Sequence, residues 1–286
     1  MKIKNILLIY KKSYYRLHSM DERRGIFARS VTFQRKDIER FRQAHDAHTK
    51  TLRSVEKTLR ALKLSYRKCY RGSRINYRSF DFVITVGGDG TFLEGARYAN
   101  KQPMLGVNSD PERSIGRFCS ANKQSFSKTI SRILSNQLKP KSLHRIRISI
   151  RGLKPVNVLN DILISNDNPA AMSRYVLKIG QRKEFQRSSG LWISTAAGSS
   201  GAIKSAGGKV MKLQSKDGQY LPRELQICPN ETLKLKGGIY RLKNPIVVTS
   251  LMRKGMIYVD GAHLRIPFPF NTKLIVSRSP DHISVF

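Results

Sequence analysis

The segment Phe80 to Arg97, FDFVITVGGDGTFLEGAR, carries one carboxylate, Asp89, among Gly87, Gly88 and Gly90, directly after an apolar run. Glycines at a strand-to-helix turn permit positive φ and let a ligand approach the backbone. Free N–H groups there, with the positive end of a following helix, suit a phosphate. The spacing is neither a Walker A loop, because no Gly-Lys-Ser/Thr follows, nor the dinucleotide G-x-G-x-x-G. A carboxylate repels phosphate, so Asp89 needs another task. It could accept the proton of an attacking hydroxyl or hold a metal ion. A plain Asp-Gly turn, with Asp89 bonding its own backbone, is the structural alternative.

Two further stretches combine apolar context with polar side chains. In NVLNDILIS, Asn160 and Asp161 are adjacent, which predicts that they face opposite sides of a strand. One of them should meet a site or a partner, because burying it unpaired is costly. In SSGLWISTAAGSSGAIKSAGG, Ser188 to Gly208, a short strand runs into small and hydroxyl residues. Small residues let a flat ligand lie against the backbone, and hydroxyls give directional bonds to nucleobase or ribose edges. A helix cap explains one hydroxyl among Thr195, Ser199 and Ser200, but not the whole run.

The elements that position these residues fall into two textures. Lys4 to Tyr10 reads as a first strand, and residues 11–36, basic and without a clear period, as a loop or a mobile segment. From Asp37 to Leu64 the pattern is helical, with Leu52, Val55, Leu59 and Leu62 on one face. Phe82 to Val86 suits a strand covered on both faces. A helix over Thr91 to Ala99, a strand at Met104 to Val107 and a helix at Phe126 to Leu138 complete an α/β unit with a mostly parallel sheet. After Pro140 short strands follow at Ile146 to Ile150, Val156 to Ile164, Tyr175 to Ile179, Leu191 to Ser194, Pro245 to Thr249, Ile257 to Val259 and Leu274 to Val276. That is an all-β, sandwich-like texture. The expected domains are 1–142 and 143–286, with the last strand free to return to the first.

The chain has 286 residues and 40% hydrophobic content, enough for a real core in about two domains. No apolar run spans a bilayer, and the apolar stretch Ile6 to Tyr10 is too short for a signal peptide. The three cysteines form no zinc or redox motif, which fits a reducing cytoplasm. The formal charge is +35, from 54 Lys+Arg against 19 Asp+Glu. Such a charge favours polyanionic partners. It suits a nucleic-acid binder or a phosphate-handling enzyme. The basic residues are spread along the chain with no aromatic-basic motif, which favours the enzyme.

Taken in order, VGGDGTFLEGAR, LGVNSDPERSIGRFC, LNDILIS, GLWISTAAGSSGAIKSAGG, ICP and VDG resemble the NAD kinases, and their form is most similar to the plant-type NADH kinase branch. GGDG alone also occurs in diacylglycerol-type lipid kinases, but those give no reason for the STAAGSS segment. The resemblance implies ATP-dependent phosphorylation of the 2′-hydroxyl of the adenosine ribose of NAD⁺ or NADH, with Mg²⁺ or a similar ion, and ATP or polyphosphate as donor. Asp89 would face that hydroxyl as the catalytic residue. Gly87, Gly88, Gly90 and Thr91 would shape the turn around the phosphates. Asn160 and Asp161 stand where the family has Asn-Glu, holding the acceptor. Thr195, Ser200, Gly201 and Ser205 would line the adenine loop, and Arg187 would lie near phosphates. The sequence offers no dedicated protein metal site, and the resemblance implies a homodimer or homotetramer. Three departures are visible. Ser189 replaces a common carboxylate, Ser200-Gly201-Ala202 replaces Thr-Ala-Tyr, and Asp161 is one methylene shorter than Glu. Loss of a carboxylate at Ser189 predicts that NADH is used at least as well as NAD⁺, because only oxidised nicotinamide carries a positive ring.

Overall fold

A computed structural model describes residues 3–18, 35–99, 101–241, 244–261 and 264–286. The chain divides into two compact units, one of residues 1–141 and 283–286, the other of residues 142–282. No helix among the described residues is long and apolar enough to cross a membrane.

The first unit opens with β1 (Asn5–Tyr10), α1 (Tyr14–His18), α2 (Arg35–Ala61) and β2 (Ser65–Tyr70). It continues with β3 (Phe82–Gly87), α3 (Asp89–Tyr98), β4 (Met104–Asn108), β5 (Cys119–Asn122) and α4 (Phe126–Leu134). The strands are parallel in the order β2-β1-β3-β4-β5. The chain's end returns here, with Val285 beside Met104 and the Phe286 N–H donating to the Met104 carbonyl at 2.9 Å.

β1, β3 and β4 are buried through their middles because helices cover both faces, which explains their continuous apolar runs. On one face Ile6, Leu8, Phe82, Ile84 and Val107 pack with Val55 and Leu59 of α2 and with Phe126, Ile130 and Ile133 of α4. On the other face lies α3. Its Gly95 sits close to the sheet, where a Cβ would come within 3.0 Å of Thr85, 3.2 Å of Ile9 and 3.2 Å of Met104. The β1–β2 connection therefore uses one face and the β3–β4 connection the other. The switch falls between the carboxyl ends of β1 and β3, where open parallel sheets bind ligands.

The second unit contains β6 (Lys141–Ile150), β7 (Val156–Val158), β8 (Asp161–Asn166), β9 (Ser173–Ile179), β10 (Arg182–Ser188), β11 (Gly190–Thr195) and the short α5 (Ala202–Ser205). Then come β12 (Asp217–Arg223), β13 (Gly238–Arg241), β14 (Ile246–Ser250), β15 (Gly255–Val259), β16 (Leu264–Pro267) and β17 (Lys273–Val285). One sheet runs β10-β9-β14-β17, with β6 on β17 and β7 on β6, and the other runs β13-β12-β11-β8-β15-β16. A single core lies between them, with Ile148, Tyr175, Leu177, Ile246, Val248 and Val276 from the first sheet against Ile162, Ile164, Leu191, Ile193, Ile257 and Val259 from the second. This is an antiparallel two-sheet packing.

Several local expectations are corrected. Residues 14–18 form a helix rather than a loop, and the rest of the basic stretch, residues 19–34, lies outside the described residues. Leu62 follows the end of α2 and is 37% exposed rather than on the buried face. α3 begins at Asp89, not Thr91, because Gly88 already serves as its N-cap. α4 stops at Leu134, since Asn136 takes φ +58 and the Gln137 and Leu138 N–H groups turn back onto the Arg132 carbonyl. The strand expected over Val156 to Ile164 is split at Leu159-Asn160, whose N–H groups are claimed by the Asp260 carboxylate.

Candidate active site

In the first unit the glycine turn joins the buried end of β3 to the first turn of α3. A Cβ on Gly87 would overlap the Thr91 side chain, and one on Gly88 would come within 2.7 Å of Ser114 Oγ. Glycine at 87 and 88 therefore permits contacts that a side chain would break. Gly90 is exposed at the outer side of the turn. Thr91 is buried at 1% exposure, and its hydroxyl finds no hydrogen-bond partner among the described residues.

Asp89 does not bond its own turn. Its Oδ1 accepts the Phe118 N–H at 2.9 Å and its Oδ2 the Arg117 N–H at 3.1 Å. Those two donors come from the segment after NSDPERSIG. There Asn108 donates from Nδ2 to the Ser114 carbonyl at 2.8 Å and accepts the Asp110 N–H at 3.0 Å. Gly116 takes φ +59 directly over the Asn108 side chain, so the loop turns tightly and presents both N–H groups to Asp89. Each carboxylate oxygen keeps accepting capacity beyond its one backbone bond. The carboxylate is oriented yet able to take one more hydrogen bond. Burial, followed by the Asp89 charge, pushes the neighbouring Cys119 thiol up to about 12, so it stays protonated.

In the second unit, Asn160 and Asp161 do not face opposite sides. Asn160 precedes β8 rather than lying in it, and its Nδ2 donates to Asp161 Oδ2 at 3.0 Å. Asp260, on the turn after β15 with φ +46, accepts the Asn160 N–H at 2.6 Å and the Leu159 N–H at 3.2 Å. Its own N–H donates to the Asp161 carbonyl at 2.9 Å. Burial, and then the Asp260 charge, raise the Asp161 carboxyl to about 7, opposed by the Asn160 hydrogen bond. Arg145, 2% exposed, lies within reach of the Asp260 charge. Burial lowers its guanidinium to about 10 while Asp260 and Asp281 pull it back up.

The small-residue segment folds over this pair. The Thr195 hydroxyl donates to the Leu159 carbonyl and accepts the Gly198 N–H at 3.0 Å. Its hydroxyl is thus spent on shaping the loop. Ser199, likewise buried, donates to the Ala196 carbonyl at 2.7 Å and accepts the Met211 N–H at 2.8 Å. A Cβ on Gly198 would overlap the Asn160 carbonyl. One on Gly201 would lie 3.5 Å from Asn160 Nδ2 and 3.6 Å from Asp161 Oδ2. Gly201 therefore adds no side chain over the half-buried Asn160, with the half-buried Ser200 beside it, while Asp161 itself is buried at 4% exposure.

Three sequence candidates stand apart from this cluster. Arg187 Nη2 is paired to both oxygens of Glu231 at 2.8 and 2.9 Å, so its charge is committed within the unit rather than left for a phosphate. Ser189 links β10 to β11 and donates its N–H to the Arg223 carbonyl. Ser205 closes α5 with an exposed side chain. The sequence reading missed the N–H pair of Arg117 and Phe118, and it left Asp260 and Arg145 without roles. The VDG triplet was the only sequence signal for Asp260; the backbone donors carry none.

A profile of the ATP-NAD kinase N-terminal domain matches residues 13–137. A probable NADH kinase of rice (Oryza sativa subsp. japonica) is 34% identical over 242 residues, covering 76% of this chain and 74% of the rice protein. An NAD kinase from Archaeoglobus fulgidus, solved in complex with ATP, superposes with TM-score 0.71 at 18% identity, over 99% of this chain and 93% of that one. Yeast NADH kinase complexed with NADH does so at TM-score 0.69 and 13% identity, over 100% and 84% respectively. With the rice relative above 30% identity across about three quarters of both chains, this chain belongs to the NAD kinase family.

Proposed function

We propose that this chain is an NAD(H) kinase that transfers the γ-phosphoryl group of ATP to the 2′-hydroxyl of the adenosine ribose of NAD⁺ or NADH. The observation that carries the reading is the Asp89 carboxylate, held by two backbone N–H groups inside a glycine turn at a sheet switch point. Phosphoryl transfer has a loose transition state, so positioning and charge neutralisation provide most of the catalysis. The glycine turn gives the phosphates close access to the backbone. Asp89 accepts a hydrogen bond from the 2′-hydroxyl, aligns its oxygen with the γ-phosphorus and takes the proton late. The new O–P bond forms as the bond from the γ-phosphorus to the bridging oxygen breaks, and ADP leaves with that electron pair. In the second unit Asn160 and Asp161 bind the acceptor, and the opening left by Gly201 and Ser200 suits its adenosine.

No group of three or more His, Cys, Asp or Glu among the described residues could cage a metal ion. A divalent ion of the Mg²⁺ type needs only one or two carboxylates plus substrate phosphates. The donor phosphates would supply its other ligands and the ion would supply charge neutralisation there, which leaves Asp89 to the hydroxyl. Three free cysteines suit a reducing cytoplasm, and the family resemblance carries a homodimer or homotetramer.

The test is an assay of ATP, Mg²⁺ and NAD⁺ or NADH, read for NADP(H). Wild type converts both, and NADH at least as well as NAD⁺. Asp89→Asn keeps the fold and NADH binding but loses about 10²-fold or more in kcat, the scale of general-base loss. Near wild-type turnover in that variant would refute the role of Asp89. kcat/KM for both substrates is compared in wild type and Ser189→Asp, and a strong wild-type preference for NAD⁺ would reject the redox reading.

A further inference from the structure

The carboxyl end of β1 carries Lys11, directly across the switch point from the glycine turn. Lys11 and Arg71 are half-buried, and neither side chain has a hydrogen bond or ion pair to any described residue. They meet at the same place. Arg71 follows β2 and donates its N–H to the Tyr10 carbonyl at the end of β1. A Cβ on Gly90 would lie 3.8 Å from Arg71 Nη1. Lys11 feels both Arg71 and Asp110, and burial is the main force holding its ammonium below the usual lysine value.

Two cations that repel each other in a partly dehydrated crevice cost free energy unless an anion joins them. Asp110, the carboxylate whose charge reaches Lys11, is already bound to Arg113 at 2.9 Å. From Lys11 a cavity of about 210 Å³ continues beneath α1, lined also by Lys12, Arg16, His45 and Arg53. Its one carboxylate, Glu56, is paired with Lys68 at 2.8 Å. Ser13 Oγ and His45 Nδ1, 2.7 Å apart, fix the α1 wall. Lys11 belongs both to the crevice beside Arg71 and to this cavity, so a track of cationic side chains extends from beside Gly90 to Arg53.

We propose that Lys11 and Arg71 clamp the phosphate tail of the donor, and that this tail runs along the track under α1, on the α2 face of the sheet. The inference rests on the kinase reading and adds to it which residues hold the donor. It places the donor clamp outside the GGDG motif, on the β1–α1 segment and the end of β2. Lys11 neutralises the leaving phosphates, and Arg71 holds the group nearest Gly90.

The test uses the full chain with Lys11→Met and Arg71→Met, and Lys11→Arg as the charge-keeping control. Expected is a rise of about tenfold or more in KM for ATP, the size of a lost charge-assisted hydrogen bond. KM for NADH and the unfolding midpoint stay within about twofold and a few degrees of wild type, and Lys11→Arg restores most of the loss. An unchanged KM for ATP, or an equal rise for ATP and NADH, overturns the clamp. A separate arm measures binding without turnover, using a non-hydrolysable ATP analogue and inorganic tripolyphosphate. Both ligands should weaken together in the Met variants. Weakening for the analogue alone would mean that the nucleoside is recognised and would overturn the phosphate clamp. This arm stands even if wild type makes no NADP(H), an outcome that would defeat the kinase reading and not the clamp.

Discussion

Asp161 shows how one residue can be read for type and missed for environment. Its identity and its polar neighbour were visible in LNDILIS, but not the Asp260 carboxylate that approaches from a turn about one hundred residues later. Its burial, and then that charge, raise the Asp161 carboxyl to about 7, and stability therefore depends on pH. Below pH 4 the group is neutral in both folded and unfolded chains, so it costs nothing. As pH climbs from 4 through 7 the unfolded chain ionises it freely while the folded chain retains the proton. Stability falls across that window and levels off above it. Asp161→Asn is neutral throughout and escapes the loss. Its stability relative to wild type should rise by up to a few kcal/mol between pH 4.5 and 8. Urea unfolding at several pH values measures this, and a pH-independent difference would show that Asp161 is not held in its neutral form.

At the scale of elements, what could be read was whatever obeys a period. β1, β3 and β4 are covered on both faces, so their sequences are unbroken apolar runs, and α3 follows the glycines. β2, SYRKCY, has no such signature, because an edge strand carries charge to prevent further pairing. β10, RKEFQRS, is an edge strand for the same reason. The loop over Asn160 was legible as a run of small residues, but not the work that each one does. Gly198 is the sharpest case, since a side chain there would meet backbone rather than a movable side chain. Gly198→Ala should cost about 1–3 kcal/mol, the range for overpacking a tight site. It should also displace Asn160 and weaken NADH binding while leaving ATP binding intact. Calorimetric titration with each ligand separates the two effects, and equal losses for both would show that the loop is not specific to the acceptor.

For the whole molecule, the +35 charge is a property of surface and encounter rather than of fold. The ion pairs among the described residues engage only a few of the 54 Lys and Arg, and most of those pairs are partly exposed and contribute little to stability. The excess positive charge adds a field that acts at a distance. Both proposed substrates are anionic, so the field should raise their encounter rate with the protein. Salt screens that field with a Debye length of about 10 Å at 0.1 M, while short part-buried contacts such as those of Asp89 are screened much less. kcat/KM for ATP and for NADH should therefore fall several-fold as ionic strength rises from about 20 to 500 mM, while kcat changes little. Steady-state kinetics across that range, with sodium chloride and potassium acetate compared to detect specific ion effects, supplies the measurement. If kcat/KM stays flat, the charge has no steering role. If kcat falls in parallel, salt is reaching the bound phosphates, and the cations around Lys11 are more open to solvent than their half-buried positions imply.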